Sequence, residues 1–197
     1  ALLESLQPLG FRFAGERRYA GARAVLAEHA RQVLADIDNQ VGQVVLARRE
    51  RIDTVHEALD SGRYVEIRGD AGVGKSGVLR QFAESLQAEG NLLVLSPGRC
   101  PPRGWSAMRT LIGFEGTLRD LLVDLATDGG AIVFLDNLDS FSDEERLTVV
   151  DVIRDAARVP GVSVLATART EFGLEEPSWL PVEALDALNR APAVTID

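Results

Sequence analysis

The spacing of apolar residues divides the chain into a helical start and a longer alternating part. Residues 1–18, with Pro8 and scattered aromatics, follow no period and read as irregular. From about Ala20 to Val41 the apolar positions Val25, Leu26, Val33, Leu34, Ile37 and Val41 recur at helical spacing. Gln43–Leu46 reads as a short strand or an extended linker. Arg49–Leu59 reads as a helix with Ile52, Val55 and Leu59 on its apolar face, ended by the Ser61-Gly62 pair.

Beyond that point strand and helix patterns alternate. Short apolar runs predict strands at Tyr64–Arg68, Asn91–Leu95, Ala131–Leu135, Val162–Ala168 and Ala193–Ile196. Between them helical patterns run over Lys75–Ala88, with Val78, Leu79, Phe82 and Leu86 inward, and over Thr117–Ala126. Ser142 and Glu145 have the spacing of a capping box, opening a helix that runs to about Arg158 with Leu147, Val150 and Ile153 inward. Trp179–Leu188 reads as a last helix. Pro97–Gly113, rich in proline and glycine, reads as a long loop, and loops of that length in a compact domain are functional or mobile. Such alternation predicts an α/β fold, a parallel sheet covered by helices on both faces. Ala131–Leu135, apolar on both faces, belongs inside the sheet.

The first strand runs into Gly69-Asp70-Ala71-Gly72-Val73-Gly74-Lys75-Ser76, which matches Gly-x-x-x-x-Gly-Lys-Ser/Thr at each fixed position. A strand delivers the chain to a loop whose glycines let backbone N–H groups converge on phosphate oxygens. The next helix, with Gly77 in its first turn, adds the positive end of its dipole. Lys75 is a compact charge for the β- and γ-phosphates, and the Ser76 hydroxyl is a magnesium ligand. Composition sharpens this reading. Arginine supplies all but one of the 21 basic residues, and the single lysine of the chain is Lys75. A bias that replaced lysine elsewhere spared the position where a planar guanidinium could not serve.

A phosphate loop needs a carboxylate at a neighbouring strand end for its magnesium shell. Asp136 follows the apolar run Ala131–Leu135 and supplies it. Hydrolysis also needs a group that takes a proton from water. Asn137 cannot, so Asp139 is the candidate base, with capping of the adjacent turn as its structural alternative. The fourth strand ends at Thr167 and Arg169, and in a sheet of this type that end lies beside the phosphates, so either residue can sense the γ-phosphate.

The remaining chemistry is sparse. Cys100 is the only cysteine, so no internal disulfide forms, and with only His29 and His56 a Cys/His metal site is not expected. A net charge of −9 disfavours a nucleic-acid surface, although the arginines among residues 12–31 make the N-terminal part locally basic. No apolar run is long enough for a membrane helix, and no secretion signal opens the chain, which is read as cytoplasmic. With a first residue other than Met, the chain is expected to be a piece of a longer protein.

The phosphate loop, Asp-x-x-Asp at 136–139 and Thr-x-Arg at 167–169 together resemble the STAND class of AAA+-related ATPases, and Leu135-Asp136-Asn137-Leu138-Asp139-Ser140 is similar to the second motif of its NACHT branch. Ser140 replaces an acidic residue usual there. The segment Val45–Glu50 resembles an element preceding the phosphate loop in that class, with Ala47 in place of glycine. The resemblance covers residues 43–197, with residues 1–42 an N-terminal helical segment or linker and the lid subdomain absent. It implies a three-layer P-loop NTPase with five parallel strands in the order 5-1-4-3-2. ATP or ADP would bind with Mg²⁺, adenine near Val45 and Leu46, and Lys75, Asp136, Asp139 and Arg169 would serve catalysis. It further implies slow hydrolysis, self-association through this domain in the full-length protein, and a role as the nucleotide switch of a larger signalling or defence protein. Sensor and effector domains are not specified. Other readings are a module that holds ADP or ATP without turnover, a nucleic-acid-linked ATPase, and a small-molecule kinase. Guanine-specific loops read the base with Asn-Lys-x-Asp, for which no second lysine exists, so the base is expected to be adenine.

Overall fold

A computed structural model describes residues 19–37, 40–41, 44–45, 49–86, 91–127, 129–173 and 178–197. Helix α1 (Ala20–Asp36) precedes a hairpin of β1 (Gln40–Val41) and β2 (Val44–Val45), and α2 (Arg49–Ser61) follows. The expected helix to Val41 therefore stops five residues early, at Asp36, and the backbone of Ile37 turns extended.

The alternating part forms β3 (Tyr64–Gly69), α3 (Lys75–Leu86), β4 (Leu92–Leu95), α4 (Trp105–Ile112), α5 (Leu118–Ala126), β5 (Ala131–Leu135), a 3-10 turn at Leu138–Ser140, α6 (Asp143–Arg158), β6 (Val162–Arg169), α7 (Val182–Ala187) and β7 (Val194–Thr195). The strands make one five-stranded, all-parallel sheet in the order β4-β5-β6-β3-β7. Counting only these five strands along the chain, this is the expected order 5-1-4-3-2. Strand direction of travel reverses around β3, so its C-terminal end opens the crevice in which ligands of open α/β sheets bind.

Side chains alternate between two cores. On one face Val65, Ile67, Phe134 and Leu165 pack with Val55 of α2 and with Val78, Leu79, Phe82 and Ala83 of α3. On the other, Leu93, Leu95, Val133, Leu135 and Val164 meet α4, α5, α6 and α7. Helix α1 belongs to both. Ala22 and Leu26 enter the second core, whereas Ala30, Val33, Leu34 and Ile37 enter the first. It thus lies along the outer edge strand β4 and shields an edge that would otherwise template pairing with another chain.

Three further sequence expectations change. The stretch 97–113 is no bare loop, because α4 occupies its second half. Trp105, Met108 and Ile112 have helical spacing, between Gly104 (φ 81°) and a left-handed C-terminal Gly113 (φ 63°). Proline and glycine density concealed one short helix. The inward face of α6 is Val149, Val152, Ile153 and Ala156, while Leu147 is exposed. The Ser142–Glu145 capping box forms as expected, and the helix phase it sets turns Leu147 outward. The last helix begins at Val182 rather than Trp179, since Pro181 occupies its N-cap and its carbonyl accepts from Ala184 and Leu185.

Candidate functional site

Gly69 ends β3 in register with Arg169 of β6. A Cβ on Gly69 would stand 2.2 Å from the carbonyl oxygen of Ile196, so only glycine admits the C-terminal strand this close. The chain then turns through Asp70 and Ala71, both exposed, to Gly72 (φ 85°) and Gly74 (φ 96°), in conformations L side chains rarely adopt. Val73 packs against the α2/α3 core and pins the loop from inside. Helix α3 starts at Lys75, with Gly77 buried in its first turn. The first-turn N–H groups of a helix lack intrahelical partners, and a glycine loop leading into a helix start is the construction that binds anions. Lys75 arches back over it, its Nζ donating to the carbonyls of Gly69 and Asp70 at 2.8 Å each.

Asp136 follows β5 directly, and its N–H donates to the Leu95 carbonyl at 2.9 Å. The side chain is buried, and its Oδ1 accepts from the Thr167 hydroxyl at 2.7 Å, with Ser76 and Lys75 close by. Burial raises the Asp136 carboxyl above its ordinary range. The bonds from Thr167 and Ser76, the nearby Lys75 charge and the Asn137 N–H oppose that rise. Lys75, Ser76 and Asp136, far apart in sequence, therefore share one corner of the crevice.

Asp139 is half-buried on the 3-10 turn, where its Oδ2 accepts from the Arg169 N–H at 2.9 Å. Arg169 is exposed at the end of β6. Asn137 between the two acids has a left-handed backbone (φ 57°, ψ 62°). Thr167 is fully buried. Its oxygen accepts from the Asn137 N–H at 2.7 Å while its proton goes to Asp136, so the hydroxyl named as a γ-phosphate sensor is engaged with the strand-end carboxylate instead. Thr170, which the sequence did not single out, donates to Asp70 at 3.0 Å and ties the phosphate loop to the turn after β6. Its signal was only position, since it follows a strand paired with the loop's own strand. For the expected adenine contacts, Val45 lies in the hairpin but its side chain, like the whole of Leu46, lies outside the described residues.

A magnesium ion fits the donors present. Ser76 and Asp136 are hard oxygen donors held side by side, and among the described residues no group of three or more His, Cys, Asp or Glu could hold a metal. Sparse protein ligation is characteristic of Mg²⁺, which completes its shell with water and substrate phosphates.

The long β4–α4 connection is stapled to α6. Gly98 N–H donates to Glu145 (2.7 Å), Arg103 N–H to the Glu144 carbonyl (2.9 Å), Gly104 N–H to Thr148 (2.9 Å) and Trp105 N–H to Asp151 (3.0 Å). Burial works against ionisation of Glu145, but bonds from Ser142 and the Gly98 N–H hold its carboxyl below the usual range. Loop and α6 consequently form one rigid wall beside Asp136.

No protein-family model and no curated protein matches the chain. Among solved structures it is similar to the Walker-type ATPase paby2304 of Pyrococcus abyssi, at 17% identity and a TM-score of 0.52 over 83% of this chain and 57% of that one. A katanin structure concerned with self-assembly (14% identity, TM-score 0.47, 84% and 59% covered) and the Drosophila ORC bound to AT-rich DNA and Cdc6 (14%, 0.43, 86% and 59%) are more distant. The chain spans less than two thirds of each of these proteins. Strand order, the loop after β3 and the likeness to that Walker-type ATPase agree: the chain has the fold of a P-loop NTPase.

Proposed function

We propose that the chain binds ATP or ADP with magnesium on the loop Gly69–Ser76 and hydrolyses ATP slowly, as the nucleotide-switch module of a larger signalling or defence protein. The observation that carries this reading is the meeting of Lys75, Ser76 and Asp136 at the C-terminal end of a parallel sheet. Loop N–H groups and Lys75 hold the β- and γ-phosphates, and Lys75 exchanges its two carbonyl acceptors for phosphate oxygens. Ser76 and Asp136 hold the magnesium, which when bound neutralises phosphate charge. Asp139 takes the proton of the attacking water, and Arg169 meets charge developing on the γ-phosphate. The adenine is read near Val45 and Leu46. Helix α1 is part of this unit, because it packs into both cores. The STAND and NACHT resemblance supports the switch role and self-association in the full-length protein.

Titration with a fluorescent ATP analogue and Mg²⁺ tests the reading. The parent should bind, and Lys75→Ala should bind at least tenfold more weakly with an unchanged thermal midpoint. Lys75→Arg should also fail, for want of a compact ammonium. Equal affinity in all three proteins would refute nucleotide binding at this loop.

A second reading has an observation of its own. The Asp139 carboxylate already accepts from the Arg169 N–H, which suits a module that holds nucleotide without turnover. Single-turnover hydrolysis separates the two. Asp139→Asn keeps an acceptor for that N–H but loses basicity, so it should retain ATP and slow turnover by about 10²–10⁴-fold. An Asp139→Asn rate equal to the parent's would leave Asp139 a cap and favour the non-hydrolysing module.

A further inference from the structure

Thr167 presents a buried hydroxyl that neither the phosphate loop nor the apolar core requires. It lies on β6 opposite Ile67 of β3, with no surface exposed, so it cannot touch a nucleotide in the crevice. Its one proton has one destination. The Asn137 N–H donates to the oxygen at 2.7 Å, and the hydroxyl therefore turns its own hydrogen to Asp136 Oδ1, also at 2.7 Å. A single hydroxyl thus restrains both the carboxylate rotation and the backbone that leaves β5 through a left-handed residue.

Two consequences follow from that arrangement. Without the hydroxyl, Asp136 would lose a fixed donor in a buried place where water cannot replace it. The Asn137 N–H would lose its acceptor at the same time, freeing the turn to relax. Both changes shift the carboxylate relative to Ser76, which approaches it from the phosphate-loop side. A bulk-conserving loss of the hydroxyl should therefore be felt at the magnesium position and nowhere else in the loop.

We propose that Thr167 is a positioning residue of the nucleotide site: by holding Asp136 and the Asn137 backbone it sets the strength of magnesium-dependent nucleotide binding without touching metal or phosphate. The proposal rests on the reading that Asp136 holds the magnesium. Helix α3 lies on the same face of the sheet, so Thr167 joins β5 and β6 behind the corner where Ser76 reaches Asp136.

The test measures affinity for a fluorescent ADP analogue on the 197-residue chain, with Mg²⁺ and with EDTA, for the parent, Thr167→Val, Thr167→Ser and Asp136→Asn. Thr167→Val should match the parent in EDTA within twofold and lose about tenfold of the affinity that magnesium adds, the order expected for a lost bond to a charged group. Thr167→Ser should return that gain to within threefold, and this variant decides the matter should Thr167→Val fail to fold: a serine protein without the magnesium gain overturns the proposal. A Thr167→Val protein with the parent's full magnesium gain also overturns it, as does an equal loss with and without magnesium accompanied by a lower thermal midpoint. In those cases Asp136→Asn still abolishes the gain and the underlying reading stands. If Asp136→Asn itself keeps the gain, both the reading and the proposal fall.

Discussion

Asn137 directly follows the strand-end carboxylate Asp136, and its backbone constrains which residue can stand there. At φ 57° and ψ 62° it sits in the left-handed region, which costs most L-residues about 1–2 kcal/mol and asparagine least. Asn137→Gly should therefore keep stability within about 0.5 kcal/mol, whereas Asn137→Glu should lose about 1 kcal/mol and Asn137→Val more. Urea unfolding of the three variants measures this, and an Asn137→Glu protein as stable as the parent would show that the turn relaxes freely. An acid installed there also starts from a side-chain direction set by the turn rather than by an extended strand. The two acids at this end of β5, Asp136 and Asp139, are each held by a partner on β6.

At the scale of elements, the position of α1 depends on a few polar ties at its ends as much as on its apolar stripe. Near its start, Arg23 is buried and its Nε donates to Asp124 at 2.7 Å, with Asn91 beyond at 3.4 Å. At its end, Asp36 meets Arg99 at 2.8 Å, and Arg80 of α3 donates to the Ile37 carbonyl. The Asp36–Arg99 pair is half exposed, and such pairs contribute little. The Arg23–Asp124 pair is mostly enclosed, so removing one partner strands the other. Arg23→Met should cost about 2 kcal/mol, below the range for fully buried pairs because Asp124 keeps some solvent. Arg23→Met combined with Asp124→Leu should recover most of it. Denaturant midpoints check this, and a double variant no better than the single one would place the loss in packing rather than in the stranded charge. The same logic reads the β4–α4 connection, whose four backbone bonds to α6 replace the mobility expected of a proline-rich loop.

Across the whole molecule, polar groups have been drawn into the layers between sheet and helices. Glu66 of β3 is buried, yet it accepts from Tyr64 (2.8 Å), Arg68 (2.7 Å) and Arg190 (3.0 Å), so the polar face of β3 is a satisfied network beneath α7 rather than a wet surface. His29 is handled differently. Its Nε2 is buried with no partner among the described residues, and its imidazole is held below the ordinary value of 6.5 by burial and by the Arg99 charge, against a bond with the Val94 backbone. Because the folded state resists the proton more than the unfolded chain does, the neutral ring favours folding above pH 6.5. That contribution is lost as the pH falls below 6.5 toward the lowered folded value. The stability of the parent relative to His29→Gln should therefore decline between about pH 7.5 and pH 5.5, as measured by urea unfolding. A constant difference would show that the folded state takes the proton as readily as the unfolded one.

Local pattern by itself determined the alternation of strand and helix, the phosphate loop with its lone Lys75, the capping box at Ser142 and the carboxylate at the end of β5. Each of these is written in neighbouring residues: a period, a cap, a fixed spacing, an apolar run followed by a charge. It could not supply what depends on residues meeting across the sheet. Leu147 has an apolar side chain but the wrong helical phase, α4 hides among glycines and prolines, and Glu66 looks solvent-facing until Arg190 arrives from the far end of the chain. The site divides in the same way. Lys75, Ser76 and Asp136 were legible one at a time, each from its own motif. That Thr167 turns its hydroxyl to Asp136, that Asp139 receives the Arg169 N–H and that Thr170 holds Asp70 were decided only when parallel pairing of β5, β6 and β3 brought three strand ends to one crevice. A hydroxyl carries no preference of its own between phosphate and carboxylate; the acceptor that tertiary packing places 2.7 Å away makes the choice.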